Sequence, residues 1–223
     1  MPFTLPCHPR DKPISQIYQL DHNQWDTKGF AWAGGFGPLP GGMPFLHPTE
    51  LKMSNAFWHM NPMPPGVTID RGARAWPDLL GHGGGSPSFF ASERVLNDLR
   101  SIDAPIARVT EMPIAEINAR ALKSKPAPRY FVIETIPGIE VDLIATGFRV
   151  DAAGRAILDP PPKPSPWPYR YRASSWNGTD LFAYRHFGPT NGPYTDLFCT
   201  ERVKELAERE GWTNVRFKPL PAI

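Results

Sequence analysis

The chain has 223 residues, 41% of them hydrophobic, and this length and composition can bury a core as one large domain or two small ones. Its formal net charge is only +2 at pH 7, with Lys and Arg spread along the chain, which disfavours a dedicated nucleic-acid-binding protein with a basic stripe. No stretch reaches the roughly 20 apolar residues of a membrane helix, and the N-terminus lacks a basic start before an apolar run. We therefore expect a cytoplasmic protein that binds neither nucleic acid nor membrane.

Residues 1–85 are rich in proline and glycine, with aromatic residues interleaved throughout. The chain has 28 prolines, well above the average of about 5% of residues. Because disordered tracts are poor in aromatic residues, we predict an ordered, loop-rich region over 1–85 that packs on an α+β domain over 86–223. Within it the pattern favours a strand near residues 14–20, a helix near 50–60, and loops at 34–44 and 81–87.

A sequence pattern occurs twice, at 89–115 and again at 197–223. The identical positions are Phe90, Glu93, Arg94, Val95, Arg108 and Pro113 in the first copy and Phe198, Glu201, Arg202, Val203, Arg216 and Pro221 in the second. Such a match in register indicates one supersecondary unit used twice. Ser92 and Thr200 are placed to cap the starts of two helices, and Gly211 is placed to end the second helix. We predict a strand, a capped helix and a returning strand in each copy.

Between the copies the sequence predicts a β-rich stretch, of which residues 130–136 (YFVIETI) form the most strand-like segment. Further strands are predicted at 140–145, 147–150, 155–158 and 181–187, with turns at 137–138, 151–154 and 177–178. The prolines of 159–168 exclude a central strand there, because proline donates no ladder hydrogen bond. The predicted fold class is α+β, a largely antiparallel sheet with a few short helices.

Catalytic and metal-binding patterns are weak. The run His82-Gly83-Gly84-Gly85 resembles the oxyanion-hole loop of some lipases and esterases, but that chemistry needs a GxSxG nucleophile, which the sequence lacks. The six histidines show no HExxH spacing, and the two cysteines, Cys7 and Cys199, form no CxxC pair. We expect no catalytic residue, no metal and no cofactor.

Two features of the repeated unit have both a functional and a structural interpretation. Cys199 precedes the second helix, where a helix dipole can lower a thiol pKa, but its counterpart in the first copy is Ala91, which favours a buried structural cysteine. The repeated Glu-Arg pairs at 93–94 and 201–202 favour ion pairs that fix helix against strand over a catalytic role.

The segment 160–172 (PPPKPSPWPYRYR) contains PxxP spacings, so it is either an SH3-type ligand or, as we favour, a stiff connector between strands. Aromatic residues and arginines occupy its second half and continue to Trp176, and these residue types dominate the energetics of protein interfaces. The alternative is that the rings belong to the core. The predicted partner-binding residues are Trp167, Tyr169, Arg170, Tyr171, Arg172 and Trp176.

Three segments together resemble a known family. They are 130–136 followed by Val141-Asp142, then the strand start 178–182 (GTDLF), and finally the ending from Cys199 through 211–215 (GWTNV) to Phe217 and Pro219. Over about residues 75–223 the chain resembles the immunity protein 11 family of bacterial polymorphic-toxin systems. Asn214 departs from the pattern, since it stands where a glycine is expected.

The resemblance implies a non-enzymatic protein that binds a cognate toxin and neutralises it by covering its active site. Two other functions remain open. One is an adaptor or accessory protein of a secretion system that uses the proline run at 160–168. The other is a hydrolase with a site near the glycines of 81–86.

Overall fold

The structure is a computed structural model, and it describes residues 16–22, 32–36, 67–69, 71–82, 88–135, 138–152, 156–157, 169–187 and 193–223. Across these ranges the chain has the predicted α+β fold, dominated by antiparallel sheet. The strands are β1 Ile17–His22, β2 Trp32–Phe36, β3 Val67–Ile69, β4 Leu79–His82, β5 Ser88–Ser92, β6 Arg108–Met112, β7 Ile114–Ile117, β8 Tyr130–Glu134, β9 Glu140–Val141, β10 Arg149–Val150, β11 Ala156–Ile157, β12 Tyr171–Arg172, β13 Leu181–Phe187, β14 Pro193–Thr200 and β15 Val215–Leu220. The helices are α1 Glu93–Ser101, α2 Leu143–Thr146 and α3 Glu201–Glu210, with 3₁₀ turns at Arg120–Leu122 and Ala173–Ser175. Within the described ranges, none of the helices has the length and apolar character needed to cross a membrane.

Two large sheets organise these strands. A four-stranded sheet has the order β13-β14-β1-β15 and is antiparallel throughout. A seven-stranded sheet has the order β6-β8-β5-β4-β2-β3-β7, with parallel pairs only at β2–β4 and β3–β7. Strands from the first 85 residues enter both sheets, and β4 pairs with β5 across the division predicted at residue 85. The N-terminal segments are therefore integral parts of the same sheets.

The two sheets share a core. Neighbouring side chains along each strand point to opposite faces of the sheet, so each sheet has one face toward this core and one face away from it. Ala91 and Cys199 lie in a central cluster, which also contains the apolar residues of α1 and α3 and so joins the two sheets. Their neighbours Phe90 and Phe198 point to the far faces of the two sheets. There each belongs to a separate cluster, the first outer cluster around Phe90 and the second outer cluster around Phe198.

The repeated pattern corresponds to two equivalent structural units. The first contains β4, β5, α1, β6 and β8, and the second contains β13, β14, α3, β15 and β1. In each unit a third strand lies between the strand before the helix and the strand after it. Ser92 and Met112 both pair with Tyr130, and their counterparts Thr200 and Leu220 both pair with Ile17. The prediction of two strand–helix–strand units is confirmed, with the central strand supplied from elsewhere in the chain.

The strand predicted over 140–145 is wrong beyond Val141, because the chain turns into helix α2. Asp142 caps this helix by accepting a hydrogen bond from the Ala145 amide at 2.8 Å. Gly147 ends it in the left-handed conformation, with φ 104°, which glycine adopts without a steric penalty. The local cap and glycine therefore prevail over the β propensity of the apolar run.

The other local predictions have mixed outcomes. The strand at 181–187 and the turn at 177–178 are confirmed, the turn by an Asn177 Oδ1 that accepts from the Thr179 amide at 3.1 Å. The loop predicted to start at residue 34 is wrong for 34–36, which lie in β2, and Gly81 and His82 lie in β4. The helix predicted at 50–60 and the proline run at 160–168 lie outside the described residues.

Candidate functional site

Each structural unit has an aspartate that joins its first strand to the residue before its helix. Asp78 precedes β4, and its Oδ1 accepts a hydrogen bond from the Ser92 hydroxyl at 3.0 Å. Asp180 precedes β13, and its Oδ1 accepts one from the Thr200 hydroxyl at 2.6 Å. The backbone repeats the arrangement, since the Ser92 and Thr200 amides donate to the carbonyls of the same two aspartates. These equivalent groups fix the geometry where each helix begins.

The repeated arginines complete the two networks. Arg94 forms a two-pronged ion pair with Asp78, with its Nε 3.1 Å from Oδ1 and its Nη2 on Oδ2. Arg202 donates through Nη1 to Asp180 Oδ2 at 3.0 Å. The interpretation of the Glu-Arg pairs as ion pairs between helix and strand is confirmed for both arginines. Arg94 also donates to the Glu210 carbonyl at the end of α3, so it connects the two units.

Asp78 additionally holds the segment that follows α3. Its Oδ2 accepts hydrogen bonds from the amide and the hydroxyl of Thr213, both at 2.9 Å. Next to it, Asn214 donates through Nδ2 to the Leu79 carbonyl at 2.7 Å. Asn214 has φ 59°, a left-handed conformation that asparagine tolerates better than most residues. Glycine is the other residue type that adopts this conformation readily.

The two predicted helix caps have different outcomes. Ser92 is confirmed as a cap, because its hydroxyl oxygen accepts from the Val95 amide at 3.4 Å while the hydroxyl proton goes to Asp78. Thr200 occupies the capping position of α3 but makes no side-chain capping bond, so the prediction is wrong in that respect. Its hydroxyl is directed to Asp180 instead.

The electrostatics of Asp78 indicate a structural carboxylate. Burial alone would raise its pKa, but hydrogen bonds from Arg94, Thr213 and Ser92 together lower the pKa below the usual aspartate value. The group is therefore ionised at neutral pH, and both of its oxygens already accept hydrogen bonds. A carboxylate in this state holds the fold together and is poorly suited to abstract a proton.

Cys199 lies in β14 and is fully buried in the central cluster. Burial, with a further contribution from Asp180, raises the pKa of its thiol. This is opposite to the lowered pKa expected of a reactive thiol at a helix start. The interpretation of Cys199 as a buried structural cysteine is confirmed.

We expect Cys199 to resist thiol reagents in the folded protein. In a Cys7→Ser background, labelling by a disulfide reagent at pH 8 should be on the order of 100-fold slower in buffer than in denaturing urea, because reaction requires opening of the β13–β14–α3 region. A labelling time course followed by mass measurement tests this. Equal rates in the two conditions would contradict the buried placement.

Neither a hydrolase nor a metal arrangement is assembled by the described residues. His82 lies in β4, and the glycines that follow it at 83–85 are outside the described ranges. Within those ranges, histidine, cysteine, aspartate and glutamate side chains form no group of three or more that could hold a metal ion.

Among the predicted partner-binding residues, Tyr169, Tyr171 and Trp176 lie against the far face of the four-stranded sheet. Tyr169 and Tyr171 are buried in the second outer cluster, so their rings serve the core. Arg170 and Arg172 alternate with them and are exposed, and Arg172 pairs with Asp142 at 3.2 Å. Trp176 is partly buried and donates through Nε1 to the Thr179 carbonyl at 2.8 Å. Trp167 lies outside the described residues.

The chain matches no protein-family model and no curated protein.

Proposed function

We propose that this chain is an immunity protein that binds a cognate bacterial toxin and neutralises it by covering the toxin's active site, without catalysis. One observation carries the proposal. Two of the segments that resemble the immunity protein 11 family, 178–182 and the ending from Cys199, form one piece of structure in which Asp180 accepts hydrogen bonds from Thr200 and Arg202. Residues of these two segments thus belong to one hydrogen-bonded unit.

The same arrangement supports binding over catalysis. In both units the repeated arginine and the repeated hydroxyl residue bond to the aspartate that precedes the first strand. These contacts fix the start of each helix against its sheet, and a pre-ordered surface favours affinity because little conformational freedom is lost on association. A pre-organised inhibitor of this kind binds its target with little backbone movement.

The experiment is co-expression of the chain with the product of the adjacent gene in bacteria, scoring survival and co-purification. We expect survival and a stable one-to-one complex. The matched control replaces the adjacent gene with an unrelated toxin gene, against which the chain should give no protection. Death of cells that make both proteins would contradict immunity. Survival without a complex would contradict occlusion and favour enzymatic reversal of the damage.

A further inference from the structure

Five exposed cations gather over the far face of the seven-stranded sheet. We call them the basic patch, and its members are Arg71, Arg74, Arg120, Lys123 and Lys125. They come from two segments, a turn before β4 and the 3₁₀ turn after β7. No local sequence pattern connects the two segments, because about 50 residues separate them along the chain.

Hydrogen bonds and packing hold the two segments side by side. The ammonium group of Lys125 donates to the Arg74 carbonyl at 2.6 Å. The Asn118 amide donates to the Ile69 carbonyl at 3.0 Å, which aligns the beginnings of the two segments. Beneath the cations, Ala73 and Leu122 are buried in the same first outer cluster. The five cations therefore belong to one continuous surface on an ordered base.

The cations of the basic patch are not neutralised by direct ion pairs in the part of the chain that the structure describes. None of its five members forms an ion pair there. Arg94, Arg129 and Arg202 each pair with at least one acidic side chain. Arg108 and Arg216 are exposed and form no ion pair with a described residue, but they lie apart from the basic patch on strands β6 and β15. Gathering like charges without counter-charges is unfavourable for the isolated protein and favourable once an anionic partner arrives.

We infer that the basic patch is the surface on which the chain docks an acidic face of its protein partner. The inference rests on the proposed function, in which that partner is the cognate toxin. Complementary charge speeds the encounter of two proteins and fixes their relative orientation. The small net charge of the whole chain is no obstacle, because the charge is concentrated where the partner docks.

The composition of the basic patch favours a protein over other anionic partners. Single-stranded nucleic acids are usually held by exposed aromatic rings on which bases stack. The adjoining ring, Trp76, is instead partly buried and packs near Tyr130, with ring centroids 6.4 Å apart. Membrane surfaces are usually bound with exposed apolar side chains that insert between lipids. The exposed side chains between the cations are small ones, such as those of Ala121 and Ser124.

This surface differs from the one predicted at residues 169–176. The basic patch lies over the first outer cluster, whereas Tyr169 and Tyr171 belong to the second outer cluster on the other sheet. The two outer clusters lie on opposite sides of the central cluster. The inference therefore moves the docking surface from the far face of the four-stranded sheet to the far face of the seven-stranded sheet.

The test compares two charge-reversed double variants with the wild type. Arg74→Glu with Lys123→Glu changes the basic patch, and Arg108→Glu with Arg216→Glu makes the same change in charge at two exposed arginines outside it. Association with the purified product of the adjacent gene is followed at salt concentrations between about 50 and 300 mM. We expect the patch variant to associate on the order of tenfold more slowly at low salt and to lose most of its salt dependence. The control variant should behave like the wild type.

The outcomes separate this inference from the proposed function. If the wild type binds and the patch variant binds equally fast, the basic patch is not the docking surface, although immunity by binding stands. If the wild type does not bind at all, the proposed function fails and the inference fails with it. Thermal unfolding of each variant checks folding, and a milder Arg74→Gln with Lys123→Gln variant should show an intermediate association rate.

A second readout uses anionic probes that are not proteins. The wild type is titrated with a labelled RNA of about 20 nucleotides and with vesicles that contain phosphatidylglycerol, at about 150 mM salt. We expect the wild type to bind the RNA and the vesicles only weakly. The patch substitutions should change this binding much less than they change association with the protein partner. Tight binding of RNA or vesicles that the patch variant loses would overturn the assignment to an acidic protein.

Discussion

Replacing Asp78 with asparagine is expected to lower the free energy of unfolding by about 2 to 3 kcal/mol. The asparagine amide cannot reproduce the ion pair with Arg94 or accept all the hydrogen bonds from Ser92 and Thr213. This loss is larger than for an exposed ion pair and at or below the range for a buried one, because the Arg94 side chain is 45% exposed while that of Asp78 is only 12% exposed. Urea unfolding followed by circular dichroism gives the measurement.

Glu111→Gln provides the matched control. Glu111 also pairs with an arginine, Arg129, through two hydrogen bonds, but both side chains lie at the surface. Exposed ion pairs contribute little to stability, so we expect its urea midpoint to stay at the wild-type value. Equal midpoints for the Asp78 and Glu111 variants would show that the Asp78 network does not stabilise the fold.

Acid should remove the contribution of Asp78. In the unfolded chain an aspartate titrates near pH 3.9, whereas the hydrogen bonds of the folded state hold the pKa of Asp78 below that value. The contribution is therefore complete above the unfolded pKa and is lost as the pH falls through the folded pKa. We expect the unfolding free energies of the wild type and the Asp78→Asn variant to differ at pH 7 and to converge under strongly acidic conditions.

Gly138→Ala is the second substitution with a large expected effect. A methyl group at this position would overlap the Cβ, Cγ and Cδ1 atoms of Phe182. Phe182 is fully buried in the second outer cluster, so its ring cannot move aside into solvent. Overpacking a filled core costs about 1 to 3 kcal/mol, and we expect the upper end because the contact is at the base of the ring. Thermal or urea unfolding measures the loss.

Two further variants separate overlap from backbone strain. Gly147→Ala places a methyl group in open space but at φ 104°, so it should show only the conformational cost of about 1 kcal/mol. Combining Gly138→Ala with Phe182→Leu should lose less stability than the two single changes added together, because the smaller side chain relieves the overlap. Full additivity would contradict the contact between these positions.

Local patterns were sufficient for the repeated units but not for the network that joins them. The Ser92 cap, the helix-ending Gly211 and the strand at 181–187 follow from residues adjacent in sequence. The two aspartates escape the repeat because their spacing to the hydroxyl differs, at 14 residues for Asp78 and 20 for Asp180. When the two copies are compared at one fixed sequence offset, the helices align but the two aspartates do not fall at equivalent positions.

The predicted contact residues show why aromatic and arginine content alone is ambiguous. In the segment from Tyr169 to Arg172 the rings and the guanidinium groups alternate, and in the structure the rings are buried and the arginines exposed. A period of two is typical of a half-buried strand, and it favours the core interpretation of the tyrosines. The basic patch has no such signal, because Arg74 and Lys125 are brought together only by the tertiary fold.

The position of β1 has a consequence for how the protein is made. Gln16 bonds to the Leu220 carbonyl and Lys218 pairs with Asp21, contacts between residues 204 and 197 positions apart. On the ribosome β1 emerges first among the described strands, yet its two neighbours, β14 and β15, are among the last. The four-stranded sheet cannot close until β14 and β15 have been synthesised, and closing so long a loop slows folding. Until then β1 lacks both of its neighbours, and an unpaired strand edge in an incomplete chain favours aggregation.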